Sequence, residues 1–168
     1  MAAARGYLGV EVLTATPDGR PVTSMGGLKV TPDLDYAGLD PAAFDALVIP
    51  GGMAWENGTA PDFADLLQRF QGRDTVMAGI CAASGVLAKS SILDSVAHTG
   101  NSLAAHQMNP GYSGAQHYRD QPQAVSDGKI ITAPGTSPYT FAVEVLKALD
   151  LWTPDAQMEL AGFAAEHR

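Results

Sequence analysis

Cysteine occurs once in these 168 residues, at Cys81. A single thiol closes no internal disulfide, so packing alone must hold the framework. No CxxC or HExxH spacing offers a metal site, and none is expected. Basic residues are also scarce: ten Lys and Arg against eighteen Asp and Glu leave a net charge of −8. Arg69, Arg73 and Lys89 are scattered, so there is no basic stripe to neutralise phosphates, which excludes a nucleic-acid partner. No stretch approaches the roughly twenty apolar residues of a membrane span, and residues 1–8 lack the apolar core of a secretory signal. The expectation is a cytoplasmic protein without membrane contact. Repeats, low-complexity tracts and linkers are missing too, which leaves residues 1–168 as one domain.

What is present is apolar material, 46% of the chain, enough for one well-buried core. Residues 9–15 are a β-branched run closed by Thr16-Pro17-Asp18-Gly19, a strand and a tight turn. Residues 21–24 and 28–31 form a hairpin around Met25-Gly26-Gly27. Asp40-Pro41 opens a helical turn, with aspartate as cap and proline at the first helical position. Ala46-Leu47-Val48-Ile49-Pro50 is the fully apolar run of a central parallel strand, ended by Gly51-Gly52. Phe63, Leu66, Leu67 and Phe70 predict an amphipathic helix over 61–72. Further strands follow at 76–80, weakly at 96–99, and as a hairpin at 123–126 and 129–133 around Asp127-Gly128. Helices are expected at 82–90, from Ser137-Pro138 onward, and over 154–167. Residues 101–119 read as the longest irregular stretch, of a length that is often functional. Alternating strands and helices predict an α/β sheet covered on both faces.

The lone cysteine stands in Val76-Met77-Ala78-Gly79-Ile80-Cys81-Ala82-Ala83-Ser84-Gly85, where a strand turns directly into a helix. Such a junction aims its side chain out over free backbone N–H groups, and small neighbours let a substrate approach. A helix N-terminus there favours a thiolate. The alternative is a small buried hydrophobe, the commonest fate of a free cysteine. Ligands of α/β sheets bind beyond the carboxyl ends of the strands. Two loops qualify: Gly51-Gly52-Met53-Ala54-Trp55 and the Cys81-Ala82 turn. Their Gly52 and Ala82 N–H groups could form an oxyanion hole beside the sulfur; the alternative for Gly-Gly is an ordinary tight turn.

Leu47-Val48-Ile49-Pro50-Gly51-Gly52, Ala78-Gly79-Ile80-Cys81-Ala82 and Ala133-Pro134-Gly135-Thr136, in this order, resemble the ThiJ/PfpI superfamily, relatives of class I glutamine amidotransferase domains. The resemblance covers roughly residues 9–151. Trp55, His98-Thr99-Gly100-Asn101 and Ala115-Gln116-His117-Tyr118-Arg119-Asp120 are most similar to its bacterial amidotransferase-like branch. It implies a flavodoxin-like three-layer sandwich with a mostly parallel sheet, a homodimer, no cofactor, a reactive Cys81, and oxyanion donors at Gly52 and Ala82. Two departures stand out. The first strand and helix, which in the family carry a glutamate bonded to the cysteine sulfur, have no counterpart. Residues 1–7 resemble only the last turns of that helix, and Glu11 reads as an outward charge. A reading frame that starts late, at an internal methionine, would account for this. Otherwise the sheet must pair its flanking strands directly or borrow a partner's strand. Secondly, Asn101 stands where several members place a histidine; it can orient a substrate but cannot take a proton.

His98 is either the nearest base or a hydrogen-bonded strand histidine, and His117 could line the pocket or a subunit contact. His106 and His167 read as surface residues. Ser84 and Thr136 are either polar pocket groups or helix caps, and Trp55 either walls the pocket or packs beneath its loop. Literal glutamine hydrolysis would need a histidine–acid pair that Pro134-Gly135-Thr136-Ser137 does not provide. Two functions are open: a cysteine-dependent enzyme acting on a small amide or carbonyl compound of unknown identity, or a non-catalytic redox-sensing or stress-related binding module.

Overall fold

A computed structural model describes residues 8–165. Its main sheet has four strands in the order β5 (Ala46–Ile49), β6 (Val76–Ile80), β8 (Ile130–Ala133) and β7 (Val125–Asp127). β6 runs parallel to both neighbours, with Ile49 opposite Gly79 and Ile80 opposite Ala133. β7 returns antiparallel across the Asp127-Gly128 turn, where Gly128 takes the left-handed φ of 58° that favours glycine. A strand with helices on both faces must be apolar along its whole length, and β6 is buried on both sides.

Alternation along β6 separates two cores. Met77 faces one, with Ile49, Leu67, Phe70 and Leu87, built from α2 (Ala64–Phe70) and α3 (Ala83–Lys89). Val76 and Ala78 face the other, where Phe141 and Val145 of α5 (Pro138–Ala148) close over Ile131. The result is the expected flavodoxin-like α/β fold with a mostly parallel sheet. α6 (Pro154–Ala165) follows, with Ala156 and Leu160 buried. No helix among the described residues is long and apolar enough to cross a membrane.

Four expectations need correction. The strand predicted over 9–15 shrinks to β1 (Ala15–Thr16), paired in parallel with β4 (Leu34–Asp35). β-Branched residues favour extended backbone but make a strand only beside a partner. Just before β1, the Thr14 N–H instead donates to the Asp33 carboxylate at 2.7 Å. Of the alternatives left open for the flanking strands, direct pairing is the one the fold does not use: β1 and β4 form their own ladder, and β5 pairs only with β6 among the described residues. The stretch 101–119 is not irregular throughout. It contains α4 (Leu103–Gln107), capped by the Ser102 hydroxyl accepting from the Ala105 N–H, and a 3-10 turn over Ala115–His117. Finally, 96–99 contributes only an isolated bridge between His98 and Tyr118.

The hairpin of β2 (Val22–Thr23) and β3 (Lys29–Val30) and the Asp40-capped turn over Pro41–Ala43 form as expected. A short α1 (Met53–Glu56) lies within the predicted glycine loop, and α2 starts three residues after Pro61. The helical reading of residues 1–7 lies outside the described residues.

Candidate active site

Cys81 follows β6 directly, and its N–H donates to the Ala133 carbonyl at 2.9 Å, the last bond of the β6–β8 ladder. The chain must then reverse into α3 within two residues. Cys81 does so with φ at 60°, a conformation that costs a side-chain-bearing residue roughly 1–2 kcal/mol. Glycines from the two neighbouring strand ends make room for it. A Cβ on Gly51 would lie 2.7 Å from the Cys81 Cβ, and one on Gly135 would lie 2.8 Å from the sulfur. Bare backbone thus flanks the thiol on either side, and the C-terminal ends of β5, β6 and β8 converge on one half-buried side chain.

Asn101 reaches this point from the loop before α4. Its Nδ2 donates to Cys81 Sγ at 3.4 Å, while its Oδ1 accepts the Gly135 N–H at 3.0 Å. The second bond fixes which end of the amide faces the sulfur, because an N–H donor demands the oxygen. Asn101, expected as a group that orients a substrate, is thus tied to the thiol and to the end of β8 at once. Among the described residues no histidine or carboxylate hydrogen-bonds the sulfur. Glu11 is exposed and makes no hydrogen bond there.

Cys81, Ala82 and Asn101 line a pocket of about 950 Å³ between the α1–α2 segment and α3–α4. Trp55 forms part of its wall, held by its indole N–H on the Pro50 carbonyl at 3.0 Å and edge-on against Phe63. Gly52 stands at the start of α1, outside the pocket lining. Among the described residues, neither the Gly52 nor the Ala82 N–H has a protein acceptor. Thr136 is exposed and lies away from the pocket. No three His, Cys, Asp or Glu side chains of the described residues converge as metal ligands.

The histidines behave differently from the sequence reading. His98 is fully buried, with Nδ1 on the Val96 carbonyl and Nε2 on the Tyr112 hydroxyl, both at 2.7 Å. That is the hydrogen-bonded structural alternative. Burial pushes its pKa down, against the opposing pull of the Val96 carbonyl. His106, expected at the surface, is only 1% exposed and contacts the Ser84 hydroxyl at 3.0 Å. Burial, reinforced by His98, lowers its pKa to about 4, so it is neutral at neutral pH. Its helix α4 was not expected, and without a helix no inward face could be assigned. Ser102 followed by Leu-Ala-Ala-His was the available signal, a cap before good helix formers. His117 is half-buried and outside the pocket, with its carbonyl accepting the His98 N–H. His167 lies outside the described residues.

Known proteins share this fold and much of this sequence. The crystal structure of the DJ-1 superfamily protein Atu0886 from Agrobacterium tumefaciens superposes with a TM-score of 0.96 at 62% identity, covering 99% of this chain and 89% of that one. An uncharacterized protease, YoaZ of Bacillus subtilis, is 35% identical over 87% of this chain and 70% of its own length. The glutathione-independent glyoxalase DJR-1.2 of Caenorhabditis elegans is 26% identical over 84% of this chain and 75% of that protein. A profile of the DJ-1/PfpI family matches residues 1–148, and the chain belongs to that family.

Proposed function

We propose that the protein is a cysteine-dependent enzyme whose Cys81 thiolate attacks the carbonyl carbon of a small aldehyde, ketone or amide. The observation that carries this reading is the positive φ of Cys81 between two glycines, with Asn101 Nδ2 aimed at its sulfur. Strain of this kind persists only where the surroundings over-determine it, and it clusters at functional sites. In the attack the S–C bond forms as the carbonyl π pair moves onto oxygen. The Gly52 and Ala82 N–H groups then serve as donors to that oxygen. With an aldehyde the product is a hemithioacetal after protonation by solvent. An amide passes through a tetrahedral species whose C–N bond breaks as solvent protonates the departing amine, leaving an acyl thioester on Cys81 that water then hydrolyses. A relative named as a glyoxalase supports the carbonyl class.

The test uses a simple 2-oxoaldehyde with the purified chain. The expected result is a mass increase on Cys81 together with consumption of the aldehyde, both lost in Cys81→Ser. A folded protein that forms no adduct and consumes nothing would refute the reading.

One observation favours the second function. Because no acid or base among the described residues touches the sulfur, the site also fits a redox sensor. There the thiolate attacks a peroxide oxygen, giving a sulfenic acid and releasing water or alcohol. Oxidation of Cys81 by stoichiometric peroxide, with no carbonyl consumption, would select it. A single domain acting as a cytoplasmic homodimer completes the proposal, and light scattering of the purified chain tests the dimer.

A further inference from the structure

Beside the thiol, where the same pocket meets the core, lies a buried polar pair that neither the family resemblance nor the proposed chemistry uses. The Ser84 hydroxyl is 2.7 Å from the Cys81 carbonyl oxygen and 3.0 Å from His106 Nε2, and both side chains are 1% exposed. A hydroxyl has one proton to donate. If it goes to the Cys81 carbonyl, Ser84 meets His106 with a lone pair, and Nε2 must carry the imidazole proton. If it goes to His106, two acceptor oxygens face each other at 2.7 Å with no proton between them. The first arrangement is the satisfied one, so His106 is the Nε2–H tautomer. The same placement suits Nδ1, which has no hydrogen-bond partner among the described residues: an unprotonated nitrogen there leaves no buried N–H donor unpaired.

We propose that His106 and Ser84 are positioning residues that aim the two donor groups of the Cys81 site. The first route runs through the peptide plane. The Cys81 carbonyl and the Ala82 N–H belong to one planar trans peptide, so holding the oxygen from behind points the N–H forward. Ser84 holds that oxygen with both its hydroxyl and its own N–H, the latter at 3.1 Å. His106 keeps the hydroxyl from rotating away. The second route runs through Gly100. A Cβ there would come within 2.7 Å of His106 Cε1, His106 Nε2 and Ser84 Oγ, so the loop backbone lies directly on the pair. The Tyr118 hydroxyl holds the Gly100 carbonyl at 3.3 Å, and the next residue is Asn101, the donor to the sulfur. His98, Tyr112 and Tyr118 surround the His106 ring at centroid distances of 5.5–5.6 Å and hold it in place.

This rests on Cys81 being the reactive group, and the experiment separates the two. Cys81 is the only cysteine, so iodoacetamide reads one site. Alkylation rates are measured across pH for the unaltered chain, Ser84→Ala, His106→Leu and His106→Gln, with circular dichroism confirming the fold of each. Ser84→Ala and His106→Leu are expected to slow alkylation at pH 7 by roughly five- to tenfold, the worth of one hydrogen bond, and to move the profile to higher pH. Glutamine places an N–H near the position of Nε2, so His106→Gln is expected to restore the rate to within about twofold of the unaltered chain. Variants that lose stability but keep the alkylation profile would overturn the positioning role. An unaltered chain no more reactive than its own urea-unfolded form would instead defeat the Cys81 reading. The imidazole nitrogen spectrum of the unaltered protein decides the proton placement independently: Nε2–H at pH 7 is expected, and an Nδ1–H tautomer or an imidazolium overturns the inference.

Discussion

Cys81 is held in a left-handed conformation by four hydrogen-bonded or close-packed neighbours: the Ala133 carbonyl, the Ser84 hydroxyl, and the bare backbone of Gly51 and of Gly135. Replacing it separates side chain from strain. Cys81→Gly is expected to exceed Cys81→Ala in stability by about 1 kcal/mol, because only glycine adopts this φ without penalty. Urea midpoints of the two variants check this, and equal midpoints would show that the elbow is unstrained. Asn101 makes a second residue-scale case. In Asn101→Ala the sulfur loses its Nδ2 donor and the Gly135 N–H loses its acceptor. Alkylation at pH 7 is expected to slow by roughly five- to tenfold while the thermal midpoint changes little, since Asn101 is exposed.

At the scale of elements, the site depends on how closely α3 lies on β6. Gly79, two residues before the thiol, permits that contact: a Cβ there would be 3.1 Å from the Ala83 carbonyl oxygen and 3.2 Å from Leu87. Gly79→Val should push the first turn of α3 outward, destabilising the protein by about 1–3 kcal/mol and slowing Cys81 alkylation. Denaturant unfolding and thiol kinetics on the same sample test both parts, and an unchanged midpoint would mean that α3 yields without loss. This contact was partly legible beforehand. The small residues Gly79, Ala82, Ala83 and Gly85 around the cysteine announced a tight junction, because small side chains let a helix start directly on a strand end. α4 was not legible in the same way. Its five residues have no apolar period, and its inward residue is a histidine rather than a leucine.

Across the whole molecule, the buried imidazole links stability to pH. In the unfolded chain His106 titrates at its ordinary value near 6.5, whereas in the fold burial holds it to about 4. Above 6.5 it is neutral in both states and its packing contributes in full. As pH falls through this window the unfolded chain takes up the proton first, so stability drops until about pH 4 and levels off below it. The loss is bounded at about 3 kcal/mol. His98, also lowered by burial, adds in the same direction. Urea titrations at pH 7 and pH 4.5 are expected to show a smaller loss for His106→Gln than for the unaltered chain. An equal loss in both would assign the acid sensitivity to other groups.

The order of the main strands and helices, the apolar central strands and the place of the lone cysteine at a strand-to-helix turn were determined by the sequence itself. Those features follow from local rules: β-branched and apolar runs, turn residues, and small side chains at a strand-to-helix junction. The extent of β1, the partner of each strand and the burial of His106 were decided only by tertiary structure. A strand exists through its neighbour, and a histidine is buried or exposed according to what packs over it. Asn101 lies between these cases. The family resemblance implied an orienting group there, but its hold on the Cys81 sulfur exists only because the end of β8 brings the Gly135 N–H to the other side of its amide.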